Sequence, residues 1–196
     1  MTPIRLILAT LTVLVGGSAL AENGSLGGTV SGTPRLRRDA IVYVVGAPAT
    51  TSTATAIYDQ KGMVFVPRVL PVVRGTTVKF LNSDMVRHNV FSPDFEKYNL
   101  GTWPVGESRT YVFDKCKDEL CAYTQLCNVH TEMEGFVVVL QSPHFALVKA
   151  DGSFSLDLPA GTWTLKLWSP KKASAPPQTV TIKPGEKATV AFAVGG

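Results

Sequence analysis

The chain has 196 residues, of which 17% are charged, and its formal net charge is only +4. So mild a balance does not mark a nucleic-acid or anionic-lipid binder, and the length accommodates one domain or two small ones. Three cysteines, an odd number, leave one thiol without an internal partner in an oxidising compartment.

The first 21 residues read as an export leader. One early base, Arg5, precedes an apolar run over 6–15, then Gly16, Gly17 and Ser18 lead to Ala-Leu-Ala at 19–21. The run is too short to cross a bilayer, which takes about 20 apolar residues, and no later stretch qualifies. The expected product begins at Glu22, carries a net charge of +3 once Arg5 is removed, and resides in the periplasm.

Beyond the leader the sequence shows almost no helical periodicity. Short β-rich runs alternate with Gly, Pro, Asn and Asp, the pattern of an all-β protein. A basic run, Arg35, Arg37 and Arg38, beside a Gly-Thr-Pro turn reads as a solvated edge. Strands are expected over 40–45, 62–67 and 69–73, with prolines confining the last two to edges or bulges. The segment 76–81 alternates Thr77 and Lys79 with Val78 and Phe80, a half-buried strand. The 82–108 stretch reads as a long polar connection holding Phe91 and Trp103, and strands follow at 109–113 and 135–140. Residues 151–161 form a turn, a strand and a turn. Over 162–168, Thr162, Thr164 and Lys166 oppose Trp163, Leu165 and Leu167. A Pro-rich loop at 169–177 then precedes a closing hairpin over 179–183 and 188–194. Polar faces with single inward apolar rows fit antiparallel sheets packed as sandwiches.

Two segments carry chemistry. Cys-Asn-Val-His-Thr-Glu-Met at 127–133 places Cys127, His130 and Met133 in one short hairpin loop, and His88 follows the 76–81 strand within Asn-Ser-Asp-Met-Val-Arg-His-Asn. Thiolate and thioether suit soft or borderline metals, imidazole suits copper, zinc and iron, and two His with one Cys and a weak Met make a blue-copper donor set. Zinc would gain nothing from the methionine. Cys116 and Cys121 could close a small disulfide loop, leaving Cys127 as the free thiol. A binuclear copper centre needs two cysteines separated by three residues, whereas Cys121 and Cys127 are separated by five. His144 has no companion and reads as structural.

The Gly-Thr-Thr-Val-Lys-Phe strand, the histidine after Asn-Ser-Asp, and Cys-x2-His-x2-Met before a final strand resemble the cupredoxins. The tight loop spacing is most similar to amicyanin, and the layout resembles exported plastocyanin-like proteins labelled for methylamine utilisation. The resemblance runs over about 57–141 and implies a Greek-key β-sandwich, assigned to 51–141. It implies one mononuclear type 1 copper, with His88, Cys127 and His130 as equatorial ligands and Met133 as the weak axial one. It also implies that Asn89 ties the two ligand loops together and that the His130 ring edge reaches solvent while His88 is held inside. The flanks, 22–50 and 142–196, resemble two halves of a carboxypeptidase-regulatory-like or transthyretin-like β-sandwich. They supply Asp-Gly-x-Phe and Leu-Pro-x-Gly, with Trp163 where that family has tyrosine.

These resemblances imply a one-electron carrier between protein redox partners, not an enzyme. The alternative is a copper chaperone or buffer using the same ligands at a more adaptable site. A copper oxidase or nitrite reductase subunit is a third reading, disfavoured because the chain has no His-x-His pair.

Overall fold

A computed structural model describes residues 23–195. The expected leader lies outside the described residues. No helix among them is long and apolar enough to cross a membrane.

The described chain is all-β apart from one short helix, and its sheets stack as two sandwiches. It opens with β1 (Asn23–Ser31), α1 (Pro34–Arg37) and β2 (Ile41–Val45). Next come β3 (Thr55–Gln60), β4 (Phe65–Val66), β5 (Val69–Val73), β6 (Thr77–Leu81), β7 (His88–Ser92), β8 (Tyr98–Trp103) and β9 (Ser108–Val112). Strands β10 (Leu120–Leu126) and β11 (Glu134–Leu140) flank the Cys-x2-His-x2-Met loop. The chain closes with β12 (Phe145–Leu147), β13 (Ser153–Pro159), β14 (Gly161–Trp168), β15 (Gln178–Ile182) and β16 (Lys187–Ala193).

Strand order defines four layers. The outer layer β13-β1-β16 faces β12-β2-β14-β15, and β5-β11-β10-β7-β8 faces β4-β3-β6-β9. The chain thus leaves the first sandwich after β2 and returns to it at β12. Parallel pairs join strands distant in sequence, β1 with β16, β5 with β11 and β3 with β6. All other strand pairings are antiparallel. Both proline-bearing segments lie at edges: β5 ends the five-stranded sheet and β4 ends its partner. A proline there costs no ladder bond on its open side.

Two strands without a polar row explain how the sandwiches stack. In β11 (Glu-Gly-Phe-Val-Val-Val-Leu) every residue after Glu134 is buried. Because side chains alternate across a sheet, Val137 and Val139 enter one core with Tyr58, Phe80 and Phe113. Phe136, Val138 and Leu140 enter another. In β2, Val42 and Val44 pack with Leu26, Phe154 and Leu165 between the flanking sheets. Ile41 and Tyr43 meet Phe136 and Val138 from the opposite side. Continuous apolar runs are what a strand covered on both faces requires. The middle core therefore fastens the two sandwiches, aided by an ion pair from Arg68 to Asp39 and another from Lys166 to Glu119.

The 82–108 stretch differs from expectation. It contains two paired strands, β7 and β8, with a register shift between Asn89 and Phe91. Its polar composition hid the strand because several inward side chains of β7, His88, Asn89 and Ser92, are buried polar groups rather than aliphatics. His88 is accordingly the first residue of a strand and not a loop residue.

Gly135, the second residue of β11, faces a wall that leaves no room for a side chain. A Cβ there would overlap the Tyr58 hydroxyl and lie 2.8 Å from Phe65 Cβ and 3.1 Å from the Arg68 carbonyl. Gly135→Ala is expected to lower unfolding stability by about 1–3 kcal/mol, the cost of overpacking, read as a lower denaturant midpoint at unchanged slope.

Candidate metal centre

The histidine at the head of β7 and the cysteine just past β10 meet because these strands are neighbours in the five-stranded sheet, where Leu126 pairs with Phe91. Cys127, His130 and Met133 all belong to the β10–β11 connection, as the hairpin spacing anticipates. Within it the Met133 N–H donates to the His130 carbonyl at 3.0 Å, closing a tight turn that keeps the two residues in fixed relation.

Three donor atoms converge. Cys127 Sγ lies 4.0 Å from His88 Nδ1 and 3.9 Å from His130 Nδ1, and the two Nδ1 atoms are 3.0 Å apart. A triangle with those sides has its centre about 2.1 Å from every vertex, which matches ordinary metal–nitrogen and metal–thiolate bond lengths. Among the described residues this is the one cluster of His, Cys, Asp and Glu side chains with metal-binding proximity. Met133 is fully buried in the core that also contains Cys127. His144 lies elsewhere, its ring 6.0 Å from Trp163.

A hydrogen bond to Asp84 orients the His88 ring. His88 Nε2 sits 2.9 Å from Asp84 Oδ2. Burial alone would raise the Asp84 carboxyl, but the N–H groups of Met63 and Gly62, then the His88 imidazole, outweigh it and hold it below the usual carboxylate range. An ionised carboxylate only accepts, so Nε2 bears the proton and Nδ1 turns its lone pair toward Cys127. His130 Nδ1 lies 3.0 Å from that nitrogen. A carboxylate behind a ligating histidine is a recurrent orienting device in metal sites. Asp84 does not stand out in the sequence as a site residue. Its position four residues before His88, in Asn-Ser-Asp, is the available signal.

The donors rest on a rigid frame. Asn82, itself buried, donates from Nδ2 to the carbonyls of Val86 and Trp103, and accepts the Asp84 N–H at Oδ1. Asn89 is bonded on every side. Its backbone N–H points at Cys127 Sγ at 3.4 Å, its Nδ2 donates to Asn99 Oδ1 and the Gly101 carbonyl, and its Oδ1 accepts the Asn128 N–H at 3.4 Å. The side chain thus joins the His88 strand to the Cys127 loop.

Access to the two imidazoles is unequal. His88 is 0% exposed, whereas His130 is half-buried beside Val129, which is 50% exposed. Met85 and Val86, in the turn before His88, are also exposed apolar residues. Cys116 and Cys121 are joined in a disulfide, which leaves Cys127 as the free and buried cysteine.

No protein-family model and no curated protein matches the chain. Among solved structures, it is similar to a purple cupredoxin from Nitrosopumilus maritimus at 26% identity, over 43% of this chain and 98% of that one, with a TM-score of 0.38. It is similar to a reduced amicyanin variant at 19% identity, over 50% and 97% of the respective chains, with a TM-score of 0.40. A copper-containing nitrite reductase from Thermus scotoductus SA-01 is similar at 25% identity over 59% of this chain and 28% of that one, with a TM-score of 0.41.

Proposed function

We propose that the chain is a cupredoxin that holds one mononuclear type 1 copper and carries single electrons between protein redox partners in the periplasm. His88 Nδ1, Cys127 Sγ and His130 Nδ1 would be the equatorial ligands, with Met133 as the weak axial one. On this reading residues 51–141 are the copper-binding domain, set into a carboxypeptidase-regulatory-like sandwich built from 22–50 and 142–196. The observation that carries the reading is the convergence of two imidazole nitrogens and one thiol sulfur around a point at bonding distance from all three. Bound there, copper supplies a one-electron couple.

What the protein's own residues contribute is constancy. Electron exchange is fast only when the ligands move little between oxidation states, and side chains locked by hydrogen bonds cannot reorganise freely. Asp84 orients His88, Asn89 clamps the Cys127 loop, and buried Met133 closes the interior side against water. Of the four proposed ligand side chains only His130 is not buried, so electrons would pass through its ring edge to a partner seated over Val129. A chaperone or buffer needs a site that opens for metal exchange, and the bonding around Asn82 and Asn89 favours the carrier instead.

Loading the mature protein with Cu(II) is expected to produce an intense visible band from thiolate-to-copper charge transfer. Cys127→Ser should abolish that band while the far-UV spectrum stays all-β. A colourless protein at full Cu(II) occupancy, or a Cys127→Ser variant that keeps its colour, contradicts the assignment.

Asp84→Asn tests the carboxylate behind His88. Removing a negative charge that stabilises Cu(II) more than Cu(I) should raise the reduction potential, by about 59 mV for each tenfold change in relative affinity for the two ions. It should also weaken metal binding by roughly 10–100-fold, the usual effect of losing such a partner. Protein-film voltammetry reads the shift, and a potential that falls or stays fixed would remove Asp84 from the account.

A further inference from the structure

The basic run before β2 does not end as a simple solvated edge. Arg35 and Arg38, at the helix α1, line a cleft of about 350 Å³ together with Arg68 and Lys171. The four cations come from three segments widely separated in sequence. Arg68 lies between β4 and β5 of one sandwich, while the other three belong to the flanking sandwich. Like charges brought together in this way raise the energy of the folded chain unless something offsets them.

Internal acids offset only part of it. Arg68 bonds to Asp39 at 3.3 Å and to Glu134 at 2.7 Å, and its guanidinium lies over the Phe136 ring at 5.5 Å. Among the described residues Arg35, Arg38 and Lys171 form no ion pair and no side-chain hydrogen bond within the chain. Arg37, on the same helix, lines a neighbouring cleft with Arg38 and Asp39, and its buried Nε has no hydrogen-bond partner.

The cleft is also built rather than incidental. Buried Ser169 donates its hydroxyl to the Leu36 carbonyl at 2.8 Å and accepts the Lys171 N–H at 3.2 Å. One side chain thereby pins the turn bearing Lys171 to the helix bearing Arg35 and Arg38. Asp39 holds a left-handed backbone conformation, with φ at 60°, where a non-glycine residue is strained. In that conformation its carboxylate reaches Arg68 across the seam between the sandwiches.

We propose that this cleft binds a small ligand bearing a phosphate-type oxyanion of two or more negative charges, clamped between the sandwiches by Arg35, Arg38, Arg68 and Lys171. Guanidinium forks match such oxygens in pairs and a lysine adds a point charge. The volume falls within the range of small-molecule sites, and the concave form favours a compact ligand over a flat protein surface. The proposal is independent of the copper reading, because none of the four side chains is a donor of the metal cluster.

Titration calorimetry with inorganic pyrophosphate at low salt, on metal-free and copper-loaded protein, tests it. Vesicles containing phosphatidate form a second arm, to separate a soluble phosphate from a lipid headgroup. One saturable site of equal affinity in both metal states is expected, with amide shifts in 15N spectra centred on 35–38, 68 and 169–172. The double variant Arg38→Gln, Lys171→Gln should weaken binding by about tenfold or more, as loss of charged hydrogen bonds implies. Lys187→Gln, an exposed charge on β16, should leave it unchanged. Both altered side chains in the double variant are exposed, so the cores stay intact, and the unperturbed 15N spectrum outside the cleft checks this. Binding by either arm that depends on these residues upholds the site. Absence of saturable binding in both arms, binding undiminished in the double variant, or binding of polyglutamate alone overturns it, the last by marking an acidic-protein docking face instead.

Discussion

The hydrogen bonding of Asn89 is the constraint on which the geometry of the His88–Cys127–His130 cluster depends. One residue donates from its backbone to the Cys127 sulfur, donates from its amide to Asn99 and Gly101, and accepts from Asn128. Strand β7, the edge strand β8 and the β10–β11 loop are thereby held in one relation. His88 is covalently next to Asn89, so its Nδ1 is carried to Cys127 by the same bonds. Hydrogen bonds of this kind contribute only about 1 kcal/mol each, but here one buried residue makes two to β8 and two to the loop, so the three segments are held together.

That local lock is effective because the strands beneath it cannot shift. Strand β11 is buried on both faces, and a slip of one residue would exchange Val137 and Val139 for Phe136 and Val138 in two differently shaped cores. Gly135 at its head admits no side chain beside Tyr58 and Phe65, which fixes where the strand begins and hence where Met133 ends the ligand loop. The flanking sandwich shares the second of these cores through Ile41 and Tyr43. It therefore braces the five-stranded sheet on its far side, and the Arg68 ion pairs with Asp39 and Glu134 carry that brace to the base of the Cys127–Met133 loop.

Much of this was legible in the sequence, and for identifiable reasons. Cys127, His130 and Met133 lie within seven residues, so any tight hairpin brings them together, and the odd cysteine count singled out Cys127 once Cys116 and Cys121 were paired. The apolar alternation in 76–81 and the unbroken apolar run of β11 reported their burial directly. Strands β7 and β8 were not legible, because a strand whose inward residues are His88, Asn89 and Ser92 lacks the alternation that marks burial. Asp84 was missed for a related cause: a carboxylate in a polar turn looks solvated until the backbone N–H groups of Gly62 and Met63 are seen to hold it. The convergence of Arg38 with Arg68 and Lys171 depends on how two sandwiches meet, which local pattern does not encode.

Two imidazoles and one thiolate form a donor set that copper is expected to enter without rearranging it. X-ray absorption at the copper edge, on oxidised and reduced samples of the same loaded protein, addresses it most directly. Two nitrogen scatterers and one sulfur at about 2.0–2.3 Å are expected in both states, with shifts between states too small to change the ligand count. A first shell of nitrogen and oxygen only, or a ligand lost or gained on reduction, would contradict it.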